Sequence, residues 1–159
     1  MSRRDRPRRP GLLMRWIYRA PVVLYRMGLG GLMFGQVMLT TVGRKSGRPR
    51  RAVVDVLKHD AGTDTYYVVS AYGGGSDWYR NLEANPEVRV QVGWRRFAAR
   101  AIPLPEQEAE EMFLDFWRRH RLYVRTMFRL IGLRVATEEE ARAAAGELRV
   151  VAIRPEGEG

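Results

Sequence analysis

The 159-residue sequence has no cysteine and only two histidines, His59 and His120. The first absence removes disulfides, thiolate nucleophiles and thiolate metal ligands together. The second leaves no HxxxH or HExxH pair, the spacing that sets two imidazoles on one helical face around zinc, so no metal site is expected. Nucleotide signatures are missing too. There is no GxxxxGK[ST] phosphate loop, and the nearest approach to GxGxxG, Gly28-Leu29-Gly30-Gly31-Leu32-Met33, ends on methionine. No GxSxG elbow occurs, and neither histidine stands in a context that marks it as the base for Ser70, which disfavours hydrolase chemistry. Acidic residues are also scarce. Against 28 Lys and Arg stand 18 Asp and Glu, a net charge of +10. Such a surplus draws anions: nucleic acid, an acidic membrane surface or a multiply charged small ligand.

The cations are concentrated. The stretch 39–51, LTTVGRKSGRPRR, carries Arg44, Lys45, Arg48, Arg50 and Arg51 between two apolar β-type runs. Gly43, Gly47 and Pro49 are turn residues, so the five charges are expected on a turn between two strands. Arginine offers a planar fork for phosphate or carboxylate, and lysine a point charge. The turn therefore reads as a docking site for a polyanionic group; the alternative is a solvated basic hairpin.

A chain of this length with 45% apolar residues is one domain with enough material for a core. Residues 1–10 read as a disordered basic arm. Residues 11–35 read as an amphipathic helical segment with Arg15, Arg19 and Arg26 on one face, kinked or divided at Pro21. Its apolar run is interrupted too often to span a bilayer, and no small-residue cleavage site follows it. It suits a helix lying on an anionic membrane, or one packed on the domain's core or on a second subunit. The main folded domain is expected over 36–155. Its strands are predicted at 37–42, 51–58, 65–71, 87–92, 95–102 and 147–153. Helices are predicted at 77–85, 105–121 and 138–145, with an apolar-basic stretch at 122–133. The first of these has Ser76 or Asp77 as its N-cap, and Gly73-Gly74-Gly75 break regular structure before it. Six or so short strands without a βαβ rhythm argue for a mainly β, α+β chain: a mostly antiparallel barrel with inserted helices.

Two more patches qualify as site candidates. Ser70-Ala71-Tyr72-Gly73-Gly74-Gly75 follows a strand, and its glycines allow backbone N–H groups to approach a ligand; the alternative is a flexible loop. Trp78 and Asn81 lie three apart on one helical face and suit a flat heterocycle; the alternative is a core tryptophan and a surface asparagine.

Taken in order, LTTVGRKSGRPRR, YYVVSAYGGG and DWYRNLEANPEVRVQVG resemble the deazaflavin-dependent nitroreductase family, whose members use coenzyme F420 and have the FMN-binding split-barrel fold. The resemblance covers about 37–102. It implies that Arg44, Lys45 and Ser46, with Arg50 as a further clamp, hold the cofactor's phosphate and oligoglutamate tail. It implies that Ser70, Ala71, Tyr72, Gly73 and Gly74 line the deazaflavin ring and that Trp78 and Asn81 flank it. Many members carry lysine at the place of Tyr72 and Pro-Ala at the place of Ser76-Asp77. The family's substrate-side tyrosines come from the last third, where Tyr123 is the candidate, and Ser70 or Tyr123 would steady charge on the acceptor. The implied reaction is hydride transfer from reduced F420, with FMN as the alternative cofactor, to an electron-poor quinone or nitro compound. The expected setting is cytoplasmic, with peripheral contact to the inner face of the membrane through 11–35, and a homodimer is possible for such barrels. The rivals are a non-catalytic barrel that holds a lipid or another flavin, and a nucleic-acid binder. The last would spread its cations along a groove instead of gathering them at a turn.

Overall fold

The computed structural model describes residues 35–70, 73–130 and 132–157. The expected basic arm, the amphipathic segment except Gly35, and Ala71 and Tyr72 lie outside them.

Six strands close into a barrel in the order β1-β2-β3-β6-β5-β4, and every neighbouring pair is antiparallel. They are β1 Gln36–Val42, β2 Pro49–Asp60, β3 Thr65–Ser70, β4 Glu87–Val92, β5 Arg95–Pro103 and β6 Arg149–Pro155. Closure leaves no free sheet edge to pair with other chains. Period-two alternation selects the inward residues. Val37, Leu39, Val54, Tyr66, Val68, Val88, Val90, Ala99, Ala101, Val151 and Ile153 form one buried cluster inside the barrel. Helix α1, Asp77–Ala84, closes one end by adding Tyr79 and Leu82 to that cluster, with Trp78 half-buried against it.

A second core lies on the outer face of β2 and β3. Helices α2 (Glu106–Arg119), α3 (Arg121–Leu130) and α4 (Glu138–Glu147) bury Phe113, Leu114, Trp117, Val124, Phe128, Ala141 and Ala145 there, and Leu57 and Val69 reach out to meet them. The Trp117 indole donates to the Val135 carbonyl at 3.2 Å, so its one polar group is satisfied within the apolar layer. Thr137 and Glu140 cap α4 reciprocally, each side chain accepting the other's backbone N–H.

Several boundaries differ from expectation for physical reasons. β2 begins two residues early because the β1 ladder continues to the pair Val42 and Pro49, and it runs on to Asp60 through a register shift between Val56 and Lys58. The expected helix over 105–121 ends at His120, whose backbone turns to φ −130° and ψ 46° before α3 begins. Ser76 is the N-cap residue of α1, but its hydroxyl makes no cap bond; it pairs with the Ser70 hydroxyl at 2.6 Å. The triple glycine forms a short 3-10 turn, Gly73–Gly75.

Candidate functional site

The β1–β2 turn takes its shape from its glycines. Gly43 N–H donates to the Arg48 carbonyl and Gly47 N–H to the Gly43 carbonyl, both at 2.8 Å. A Cβ on Gly43 would stand 2.7 Å from Ser46 Oγ and 3.1 Å from the Arg48 carbonyl, so a side chain there would push Ser46 aside and press on the turn's backbone. Gly47 has φ +68°, a left-handed conformation that other residues adopt at a cost. Ser46 Oγ accepts from Arg48 N–H at 3.2 Å, which makes Ser46 a turn-forming residue as well as a ligand candidate.

The turn is braced against α1 by Asn81. That side chain is 3% exposed. Its Oδ1 accepts from Arg44 N–H at 3.2 Å and from Arg44 Nη1 at 2.9 Å, and its Nδ2 donates to Thr41 Oγ1 at 3.1 Å. Thr41 is equally buried and donates weakly to the Arg50 carbonyl at 3.4 Å. Arg44 also reaches Asp77 Oδ1 through Nη2 at 3.1 Å. The amide read as flanking a heterocycle is thus spent on protein partners, and so is much of the Arg44 guanidinium. Lys45, Arg48, Arg50 and Arg51 are all exposed. Among the described residues none pairs with their side-chain charges. The brace holds on a fixed turn four cations that no described acid neutralises.

The glycine segment leads into the helix that braces the turn. Arg80 Nε donates to the Gly74 carbonyl at 2.8 Å and ties the segment to α1. A Cβ on Gly74 or Gly75 would meet nothing within 4 Å, and neither has a positive φ. Packing among the described residues therefore does not demand glycine at these two positions, which leaves room there for a ligand close to the backbone.

Ser70 and Tyr123, the two alternative hydroxyls expected to steady charge on the acceptor, stand on opposite faces of the sheet. Ser70 is 1% exposed and follows Tyr66 and Val68 on the inward side of β3. Tyr123 projects from α3 to the outer face, where its hydroxyl donates to Asp55 Oδ1 at 2.8 Å. Asp55 is the cross-strand partner of Val69, which packs into the outer core, and it also accepts from Gln36 Nε2 at 3.0 Å. Burial, and then the charge and hydrogen bond of Asp55, push the Tyr123 phenol well above its usual range. In neutral solution it stays a phenol, and while bonded to Asp55 it offers a ligand only its lone pairs.

Sequence reading missed Arg149. The β3–β6 register sets it opposite Ser70 at the same barrel rim, and its guanidinium donates to the Leu148 carbonyl at 2.9 Å. Its charge also acts on Tyr79, whose phenol is nevertheless raised, chiefly by burial and then by Glu83. Nothing in the local sequence marks Arg149; only strand pairing places it at the rim.

The closed antiparallel barrel with its added helices is a split barrel. Among solved structures, the chain is similar to an F420-H2 dependent reductase, with TM-score 0.51 and 23% identity over 76% of this chain and 95% of that one. It is also similar to a pyridoxamine 5'-phosphate oxidase-related, FMN-binding protein from Nostoc punctiforme, with TM-score 0.54 and 11% identity over 86% and 80%. At such identities the likeness is one of fold. The chain belongs to the F420H(2)-dependent quinone reductase family, whose model matches residues 14–137. An F420H(2)-dependent quinone reductase of Mycobacterium tuberculosis H37Rv is 34% identical over 77 residues, 46% of this chain and 50% of that protein. The chain thus matches about half the length of such curated relatives.

Proposed function

We infer that this protein is an F420-dependent oxidoreductase that passes a hydride to an electron-poor acceptor, a quinone before a nitro compound. The observation that carries this reading is a braced turn with four cations that pair with no acid among the described residues, tied to the same helix as a glycine segment with open space along it. A polyanionic tail joined to a flat ring requires both features. When bound, reduced coenzyme F420 would supply the hydride from its deazaflavin ring. Lys45, Arg48, Arg50 and Arg51 would neutralise the tail, and Asn81 would hold their turn in register through Arg44. The backbone of Gly73–Gly75 would meet the ring closely, and Trp78 would shield one end of it from water. Ser70 and Tyr123 take separate tasks because they occupy separate faces of β3 and its neighbours. Ser70 belongs to the cofactor side. Tyr123, whose hydroxyl donates to Asp55, ties α3 to β2 on the opposite face instead.

Titration of the full chain with oxidised F420 and with FMN tests this directly. Saturable F420 binding at physiological salt is expected, tighter than FMN binding, together with oxidation of reduced F420 by a soluble naphthoquinone. A preference for FMN, or a tight shift of duplex DNA without F420 binding, would overturn it.

A quinone acceptor gives a reason for contact with a membrane through 11–35, since long-chain quinones reside in the bilayer. Among the described residues no helix is long and apolar enough to cross one. Flotation on vesicles containing phosphatidylglycerol should therefore depend on residues 1–35. Equal flotation without them would remove that role. Pairing into a homodimer is part of the same reading, and sedimentation of the full chain as a monomer at micromolar concentration would exclude it.

A further inference from the structure

Asp77 is the only carboxylate, among the described residues, within ion-pair reach of the turn's five cations. Its Oδ1 lies 3.1 Å from Arg44 Nη2, and its backbone carbonyl accepts weakly from Arg44 Nη1 at 3.4 Å. The partners are unequal. The Arg44 side chain is 23% exposed and that of Asp77 86%. Arg44 is anchored without Asp77, because its backbone N–H and Nη1 both reach the buried Asn81 carbonyl. Among the described residues Asp77 has no second side-chain partner. The fixed member of the pair is the cation, and the loose member is the anion.

A carboxylate presents to an arginine fork the same planar acceptors that a phosphate or a glutamyl tail presents. We propose that Asp77 is an internal stand-in for the ligand's anionic group, held by Arg44 when the turn carries no ligand and displaced when a polyanion arrives. The exchange is easy, since an exposed pair of this kind shifts an equilibrium by no more than about fivefold. It is also selective. A ligand with several charges gains from Lys45, Arg48, Arg50 and Arg51 while displacing Asp77, whereas a ligand with one charge exchanges a single contact for another. Asp77 is thus a specificity-determining residue of the anion site, which deepens the F420 reading and rests on it for the ligand's identity.

The full chain and its Asp77→Asn variant, with Asp77→Ser as a second form in case the first folds poorly, would be titrated with two probes. Oxidised F420 is followed by its fluorescence, and inorganic pyrophosphate by the Arg44 Nε–Hε resonance. In low salt the variants should bind both probes about two- to fivefold more tightly, and the gain should shrink as salt screens the turn. An Arg44→Met/Asp77→Asn double variant should show no gain over Arg44→Met. Equal or weaker pyrophosphate binding by both Asp77 variants would overturn the proposal. If the gain persists with pyrophosphate while no form binds F420, the F420 reading fails and the role of Asp77 stands. If F420 binds and the variants gain nothing, the reverse holds. Failure of every form to bind either probe sinks both.

Discussion

An Asn81→Leu variant is expected to lose about 2–4 kcal/mol of stability, because it leaves buried donors and acceptors without partners. The leucine is nearly isosteric, so cavity formation contributes little. The loss comes from Arg44 N–H and Thr41 Oγ1, both of which Asn81 serves now. For a domain of this size that corresponds to a fall in melting temperature of roughly 5–15 °C. Asn81→Asp separates the two halves of the bracket. Its carboxylate still accepts from Arg44, but it cannot donate to Thr41 as the amide does, so an intermediate melting temperature is expected. The leucine variant should also bind anions less tightly than its remaining fold would suggest, since the turn loses its brace while keeping every exposed cation. A leucine variant that melts within about 1 °C of the parent would mean that the bracket is not formed in solution.

The barrel was legible because its strands obey the simplest rule. Glu87–Val92 alternates charged or polar residues with valines, and its observed bounds match the predicted ones. β2 was harder. Its first three residues, Pro49, Arg50 and Arg51, are exposed and charged or ring-closed, yet they pair with Val42, Thr41 and Thr40. Ladder hydrogen bonds depend on backbone geometry and continue past the point where hydrophobic patterning stops. The break at His120 left no signal either. No glycine or proline stands there, and both helices bury residues, Trp117 and Val124, in one shared core.

The site divides along the same line. The basic turn was legible because glycines, a proline and five cations lie within a few residues of one another. What the cations do was only partly legible. Arg44 and Asn81 are 37 positions apart, and no local pattern says that one is the other's partner. Long-range pairing of this sort gives one expected ligand-binding arginine a structural duty as well, and among the described residues leaves the other four cations without an ion-pair partner. Strand parity did hold a clue to the separation of Ser70 and Tyr123. Ser70 keeps step with Val68 and Tyr66, both buried inside the barrel, and the helix that carries Tyr123 had to cover the other face. The parity of Asp55 was legible as well, but its role as the acceptor for Tyr123, 68 positions away, was not.

Reversing two of the free cations separates ligand binding from stability. A Lys45→Glu/Arg50→Glu variant should bind F420 at least about 100-fold more weakly than the parent, about 2.7 kcal/mol, because two charge-assisted hydrogen bonds vanish and two repulsions replace them. Each such bond contributes about 1.5–3 kcal/mol where it is sheltered, and the exposure of both side chains places this site at the lower end. Added salt should narrow the gap, since the Debye length is about 8 Å at physiological ionic strength. FMN, with one phosphate, should lose less than F420. The melting temperature should hold or rise slightly, because neither side chain pairs with an acid among the described residues and the reversal relieves repulsion within the turn. A variant of Arg44 would confuse the two effects, since that guanidinium both braces the turn and faces the ligand; Lys45 and Arg50 carry no such structural duty through their side chains. Unchanged F420 affinity in a normally folded double variant would move the cofactor's anionic tail to another part of the barrel and leave the turn as a solvated hairpin.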